Sequence, residues 1–259
     1  MGSIPAGCAK LIVLFMNKEK VSAALLIIGD EILSGRTKDA NLNFLAASLV
    51  EIGISLCEVR VIPDIEKEII EAVNALRAKY DYVFTSGGIG PTHDDITCES
   101  IAKAFGQKTI LNEIALEVLN NHYGRENVNE ARKKMAILPF GASLLDNPIS
   151  SAPGFRIENV FVMAGIPKIF QAMFEAAKKE LIGGKKTKTI EVEISLTESV
   201  IAKDFENMQK KYHLVSMGSY PFSGGTALVF RSVNYELLEI AFNEMMAKIS
   251  KKNILRISK

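Results

Sequence analysis

Thr85-Ser86-Gly87-Gly88-Ile89-Gly90-Pro91-Thr92-His93-Asp94-Asp95 directly follows the short apolar run Tyr82-Val83-Phe84, and its reading decides the fold. Three glycines within four residues, placed where a strand ends, let the backbone take positive φ and approach an anion closely. Upstream, Ala23–Ile28 is a continuous apolar run ending at Gly29-Asp30, as expected for a strand buried on both faces. Between the two runs lie a helical pattern over 39–52 (Leu42, Leu45, Ala46, Leu49, Val50) with Gly53 at its C′ position, a strand over 54–62, and a second helix over 66–79 (Ile69, Ile70, Val73, Leu76). Strand, helix, strand, helix, strand predicts an α/β domain with a doubly wound, mostly parallel sheet.

Beyond the glycine-rich segment the sequence predicts mostly helix from Ile96 to Lys134, with a break at Gly124. Two turn-rich stretches, 138–142 and 147–154, then read as an excursion beside the sheet, followed by a strand over 160–164 and a helix over 166–181. Gly183-Gly184-Lys185-Lys186 marks a domain boundary. Residues 185–259 read as a small α+β unit of βαββα order, with Thr197 as an N-cap. The domains expected are therefore 21–184 and 185–259. Residues 1–20 are expected to be a disordered extension, with Met16 resembling a natural start.

The composition, 48% hydrophobic and 24% charged without tryptophan, is that of a globular protein with a core of usual size. Thirty-one basic against 30 acidic side chains give a formal charge of +1, and no long basic run offers a nucleic-acid surface. No stretch is long and apolar enough to suggest a membrane span. Cys8, Cys57 and Cys98 show neither metal-ligand spacing nor a disulfide framework, which suits a reducing cytoplasm, the expected location. Cys57 reads as a buried strand residue. His122 and His213 read as structural, and His93 as a solvated loop residue.

Open parallel sheets bind ligands beyond the carboxyl ends of their strands, where strand order reverses. Three polar clusters fall at such ends: Gly29 to Gly35 (with Glu31 and Ser34), Pro63-Asp64, and the segment 85–95. The N–H groups of Gly87, Gly88 and Gly90, with the hydroxyls of Ser86 and Thr92, are expected to cradle a phosphate or diphosphate. Asp94 and Asp95 repel an anion, and make sense if a divalent cation such as Mg²⁺ lies between carboxylate and phosphate. The plainer alternatives stay open: Asp95 as a cap of the helix from Ile96, Asp64 as a cap of the helix from Ile65, and Glu31 as a solvated carboxylate.

These residues carry a family resemblance. Ala24 to Gly35, then Thr37-Lys38-Asp39-Ala40-Asn41, resembles the opening of molybdopterin-binding (MoaB/Mog-like) domains, in the version found in CinA, the competence/damage-inducible protein. Residues 85–97, Leu138-Pro139-Phe140-Gly141-Ala142, Ser151-Ala152-Pro153-Gly154-Phe155 and Ala164-Gly165-Ile166-Pro167 fit the same family in order. Thr92-His93-Asp94-Asp95, and Gly218-Ser219-Tyr220-Pro221 in the tail, resemble most the domain fused to eukaryotic FAD synthases. The C-terminal unit resembles the KH-like subdomain of that group.

The resemblance implies either metal-dependent pyrophosphate hydrolysis of ADP-ribose or FAD-like dinucleotides, or adenylylation of molybdopterin in molybdenum cofactor biosynthesis. A non-catalytic nucleotide- or pterin-binding module is the third reading. It implies a divalent metal (Mg²⁺ or Co²⁺), with molybdopterin as a possible ligand, and a homodimer or homotrimer. The expected catalytic residues are Asp64, Asp94 and Asp95, with Asp64 and Asp95 on the metal. The expected substrate contacts are Gly29, Glu31, Ser34, Asn41, Ser86, Gly87, Gly88, Gly90, Pro91, Thr92, Ser150, Ser151, Pro153 and Gly154. One departure is that Gly165-Ile166-Pro167-Lys168-Ile169-Phe170 lacks the glutamate usual in the family. CinA's amidase activity on nicotinamide mononucleotide is not expected.

Overall fold

The computed structural model describes residues 20–258, so the extension expected over 1–20 lies, but for Lys20, outside the described residues. The chain divides into two compact units between Gly184 and Lys185.

The first unit is built on a six-stranded sheet. β1 (Val21–Ile28), β2 (Ile54–Ile62), β3 (Tyr82–Ser86) and β8 (Val160–Met163) are parallel, in the order β2-β1-β3-β8. Helix α1 (Asp30–Leu33) follows β1, α2 (Asn41–Glu51) leads to β2, and α3 (Glu66–Lys79) leads to β3. Alternate residues of β1 serve opposite faces. Ala24, Leu26 and Ile28 pack with Ile69, Val73 and Leu76 of α3 and with Ile101 of α4 (Thr97–Ala104). Leu25 and Ile27 pack with Leu45 and Leu49 of α2 and with Phe170 and Phe174 of α7 (Pro167–Ala177). Both faces are thus covered, which is why β1 reads as an unbroken apolar run. Phe84, Phe161 and Phe174 meet ring to ring in the second of these layers.

Between α4 and β8 the structure departs from the sequence reading. β4 (Thr109–Leu111) and β5 (Ile137–Pro139) form a separate antiparallel pair, where helix was expected at 109–111. Helices α5 (Glu113–Tyr123) and α6 (Glu130–Lys134) stand between them. The turn-rich stretches form turns as expected, but they adjoin two strands that the sequence reading lacked. β6 (Ser143–Leu145) and β7 (Gly154–Ile157) extend the main sheet beyond β8 as antiparallel strands.

Cys57 is exposed and not buried as expected. β2 is the sheet's edge strand, and residues of alternate register face outward there.

The second unit has an antiparallel sheet of order β10-β11-β9-β12, built from β9 (Lys188–Ile194), β10 (Ser216–Phe222), β11 (Gly225–Ser232) and β12 (Ile254–Ser258). Its core joins Ile190, Val192, Ile194, Leu228 and Phe230 to Ile201 and Met208 of α8 (Glu198–Lys211) and to Leu238, Phe242 and Met245 of α9 (Tyr235–Lys248). β12 is an addition to the βαββα order read from the sequence. Thr197 occupies the N-cap position of α8, though its side chain makes no capping bond.

Candidate functional site

The chain leaves β1 for β2 on one side and pairs β1 with β3 on the other, so strand order reverses at the carboxyl ends of β1 and β3. Gly87 sits at that point, φ +111°. A Cβ there would lie 2.1 Å from the carbonyl oxygen of Ile28, the last residue of β1, so glycine alone lets the two strand ends close up. The Gly87 N–H donates to Met163 O (3.1 Å), which ties the end of β8 to the same spot.

Asn41, the first residue of α2, completes this junction. It is buried, and its side-chain N–H₂ donates to Ser86 Oγ and to Gly165 O, both at 2.8 Å. Asn41 and Ser86 are thus joined, buried, beneath the ends of β1 and β3. The Asn41 Oδ1, buried without a partner, is an unspent acceptor there.

The glycine-rich segment is closed upon itself. Asp95 accepts from the N–H of Gly90 through one oxygen (2.7 Å) and from the N–H of Thr92 through the other (2.8 Å). It makes no capping bond to α4, whose N-cap is Ile96. The Thr92 hydroxyl faces both Asp94 and Asp95 and can donate to one at a time. Gly88 lies at φ +68° over the hydroxyl of Thr97, which is buried without a partner, and its carbonyl accepts from the Thr97 N–H (3.0 Å). Of the three glycine N–H groups expected to cradle a phosphate, Gly87 and Gly90 are spent on the protein. The N–H of Gly88, with that of Ile89 beside it, is left without an acceptor among the described residues.

Asp64 does not cap its own helix either. Its Oδ2 accepts from the N–H of Asp30 at the start of α1 (3.1 Å), and its Oδ1 points toward Gly88, 3.6 Å from where a Cβ would stand. Partial burial pushes its pKa up; the Asp30 N–H opposes that, and the charges of Asp30, Glu31 and Asp94 add to it. Asp94 is held below the usual range, chiefly by the Thr92 hydroxyl, with help from His93 and Lys134. His93 is fully solvated.

The remaining expected residues fall into groups. Gly29 is held by the Ile62 carbonyl (3.1 Å), with the Glu31 carboxylate folded back over it, while Ser34 ends α1 exposed. Pro91 and Thr92 are exposed. Pro153 lines a small surface pocket together with Gly90, Asp95, Cys98, Lys134 and Phe155. Ser150 and Ser151 are engaged elsewhere: Ser150 Oγ accepts from buried Asn147 (2.7 Å), and Ser151 Oγ meets His122 Nδ1 (3.0 Å) with Ser151 at φ +58°. Gly154 serves packing, since a Cβ there would meet the Val162 carbonyl at 2.5 Å. Burial pushes the Cys98 thiol up to about 12, so it is inert near neutrality.

No group of three or more His, Cys, Asp or Glu among the described residues is arranged to hold a metal ion. The donor set suits a different arrangement. Mg²⁺ is commonly held by one or two carboxylates, with the rest of its shell supplied by water and substrate phosphate. Asp64, with one free oxygen in an acidic neighbourhood, fits that role. Asp95, both oxygens engaged by backbone N–H groups, fits it less well.

A family model described as "Probable molybdopterin binding domain" matches residues 24–183. The chain belongs to the molybdopterin-binding domain family. Residues 186–258 match a second model, the middle domain of FAD synthase. The crystal structure of the protein CinA from Thermoplasma acidophilum superposes with TM-score 0.60 at 33% identity, over 64% of this chain and all of that one.

A protein of Pyrococcus furiosus is 37% identical over 63% of this chain and 71% of its own length. One from Pyrobaculum calidifontis is also 37% identical, over 62% and 64%. An Archaeoglobus fulgidus protein is 29% identical over 88% of this chain and 98% of its own. The chain thus spans roughly two thirds of the length of the first two. This member of the molybdopterin-binding family therefore pairs that domain with a FAD-synthase-type middle domain. Among the described residues no helix is long and apolar enough to cross a membrane.

Lys134 was not singled out from the sequence. Its Nζ donates to the carbonyls of Thr92 (2.6 Å) and Asp95 (2.9 Å), across about 40 residues of chain. A contact that distant leaves no local signature.

Proposed function

We propose that the first unit hydrolyses the diphosphate bridge of an ADP-ribose- or FAD-like dinucleotide with a divalent metal. The observation that carries this reading is Asp64, a carboxylate with one unspent oxygen, beside the free N–H groups of Gly88 and Ile89 at the point where strand order reverses. In this reading Gly88 and Ile89 bind the bridging phosphates, and Ser86 and Asn41 lie buried beneath them. Asp64 holds the cation, with Asp94 adding charge and Asp95 keeping the loop in shape. A bound Mg²⁺ or Co²⁺ supplies charge neutralisation at phosphorus and acidifies an attacking water. As the water oxygen bonds to phosphorus the P–O–P bridge breaks, the departing phosphate oxygen takes the bond's electron pair and the water's proton passes to solvent, giving AMP and ribose 5-phosphate from ADP-ribose. Purified protein incubated with ADP-ribose or FAD and either metal is expected to release AMP, and EDTA to stop it. No AMP with any metal overturns the proposal.

A second reading starts from the family description, which names molybdopterin binding: the site binds molybdopterin, with adenylylation as its chemistry. It predicts ATP consumption that depends on molybdopterin and Mg²⁺. Calorimetric binding without turnover would instead favour a non-catalytic module.

A further inference from the structure

The glycine-rich segment has two kinds of exposed backbone group to satisfy, N–H and C=O. Asp95 takes the N–H groups of Gly90 and Thr92 from within. The carbonyls of Thr92 and Asp95 turn the other way, and both are taken by the ammonium of Lys134. Lys134 is the last residue of α6, a five-residue helix whose N-cap is Asn129. Its two basic neighbours are directed elsewhere: Lys133 pairs with Glu130 (2.7 Å), and Arg132 lies over the ring of Tyr123 (4.2 Å). Lys134 alone of the three reaches the loop. Two of its three N–H bonds are used there, and its charge also acts on Asp94.

We propose that Lys134 is a positioning residue for the phosphate-binding segment. By clamping the Thr92 and Asp95 carbonyls it fixes the Asp95 carboxylate, which in turn fixes Gly90 and Thr92. The free N–H groups of Gly88 and Ile89 are thereby presented to the diphosphate in one orientation. The link to catalysis rests on the pyrophosphatase reading; the link to loop order does not.

The test compares the full-length protein with K134M and K134R. Amide exchange of Gly90 and Thr92 is followed together with the melting temperature and steady-state kinetics on ADP-ribose with Mg²⁺. Hydrogen bonds from a charged donor are strong enough that K134M is expected to speed exchange at these two amides about tenfold or more. Core amides such as those of Leu25 and Phe84 should keep their protection. KM for ADP-ribose should rise by about tenfold for the same loss, while kcat changes little. K134R, whose fork can also span two carbonyls, should restore both.

Unchanged exchange at Gly90 and Thr92 in K134M overturns the proposal. So does faster exchange with unaltered KM, since loop order would then be without consequence. Loss of protection throughout the unit also overturns it, because Lys134 would then support the whole fold. If the wild-type protein releases no AMP, the pyrophosphatase reading fails by itself, and the exchange measurements alone decide on the clamp.

Discussion

The Asp64 carboxylate accepts a hydrogen bond from the backbone N–H of Asp30 at 3.1 Å, joining the end of β2 to the start of the short helix after β1. One oxygen is thus spent on the protein and the other turned toward Gly88. An aspartate so placed is part scaffold and part ligand, and the two roles respond differently to substitution.

Replacing Asp64 by Asn should separate them. The raised pKa, due first to burial and then to its acidic neighbours, means the folded state binds a proton more readily than the unfolded chain. Stability therefore falls as pH rises from about 4 through the folded pKa, and the ionised group costs stability at pH 7. D64N is expected to be slightly more stable at neutral pH, and to lose the share of the pH dependence that Asp64 contributes in that window. Its ADP-ribose hydrolysis should fall by about 10²-fold or more as the cation loses its carboxylate. Thermal melts between pH 4 and 8, alongside an AMP assay, check both halves; a less stable D64N contradicts the pKa argument.

Gly87→Ala tests the junction of strand ends. The added Cβ would collide with the Ile28 carbonyl at 2.1 Å, in a backbone conformation that L-residues avoid. A loss of about 1–3 kcal/mol is expected from the strained φ alone, read as a lower urea midpoint with an unchanged slope.

Thr97→Val should act in the opposite sense. The Thr97 hydroxyl is buried under Gly88 without a hydrogen-bond partner, a state that costs about 1–3 kcal/mol. Exchanging hydroxyl for methyl is expected to stabilise the protein by about 1 kcal/mol, a shift of about 2–4 °C in Tm. A lower Tm would mean the hydroxyl does find a partner in solution.

The two described cysteines should differ in reactivity. Iodoacetamide at pH 8 is expected to alkylate exposed Cys57 well ahead of Cys98, whose thiol burial pushes up to about 12. Peptide mapping by mass spectrometry reads the order directly.

The parts of the fold that were legible before the structure carry a regular apolar period over several turns or residues, as in β1, α2 and α3. β1 reads as an apolar run because helices cover it on either side. The elements that escaped reading are mostly short: β5 and β6 have three residues each and β7 four, although β7 is buried. β4 has three residues and β12 is almost wholly solvent-facing, so neither writes a burial pattern into the sequence. The exposure of Cys57 is hidden for a related reason, since an edge strand turns alternate residues to solvent while its apolar neighbours suggest burial.

At the candidate site, residue types and their place at strand ends were readable, but the partners of each polar group were not. Asp64 and Asp95 looked equally able to cap helices, and neither does. Which glycine N–H groups stay free depends on Met163 and Asp95, and the first of these lies 76 residues from Gly87.

The glycine-rich segment is ordered before any ligand arrives, by bonds within it and by Met163 and Lys134. A loop that must be ordered by its ligand charges the entropy of that ordering to each encounter, typically in fractions of a kcal/mol to about 1.5 per immobilised side chain. Here Gly87, Gly90, Thr92 and Asp95 settle that cost during folding. Capture of a phosphate should then be a single bimolecular step, with an observed rate that climbs linearly with ligand concentration and no plateau from a closing motion.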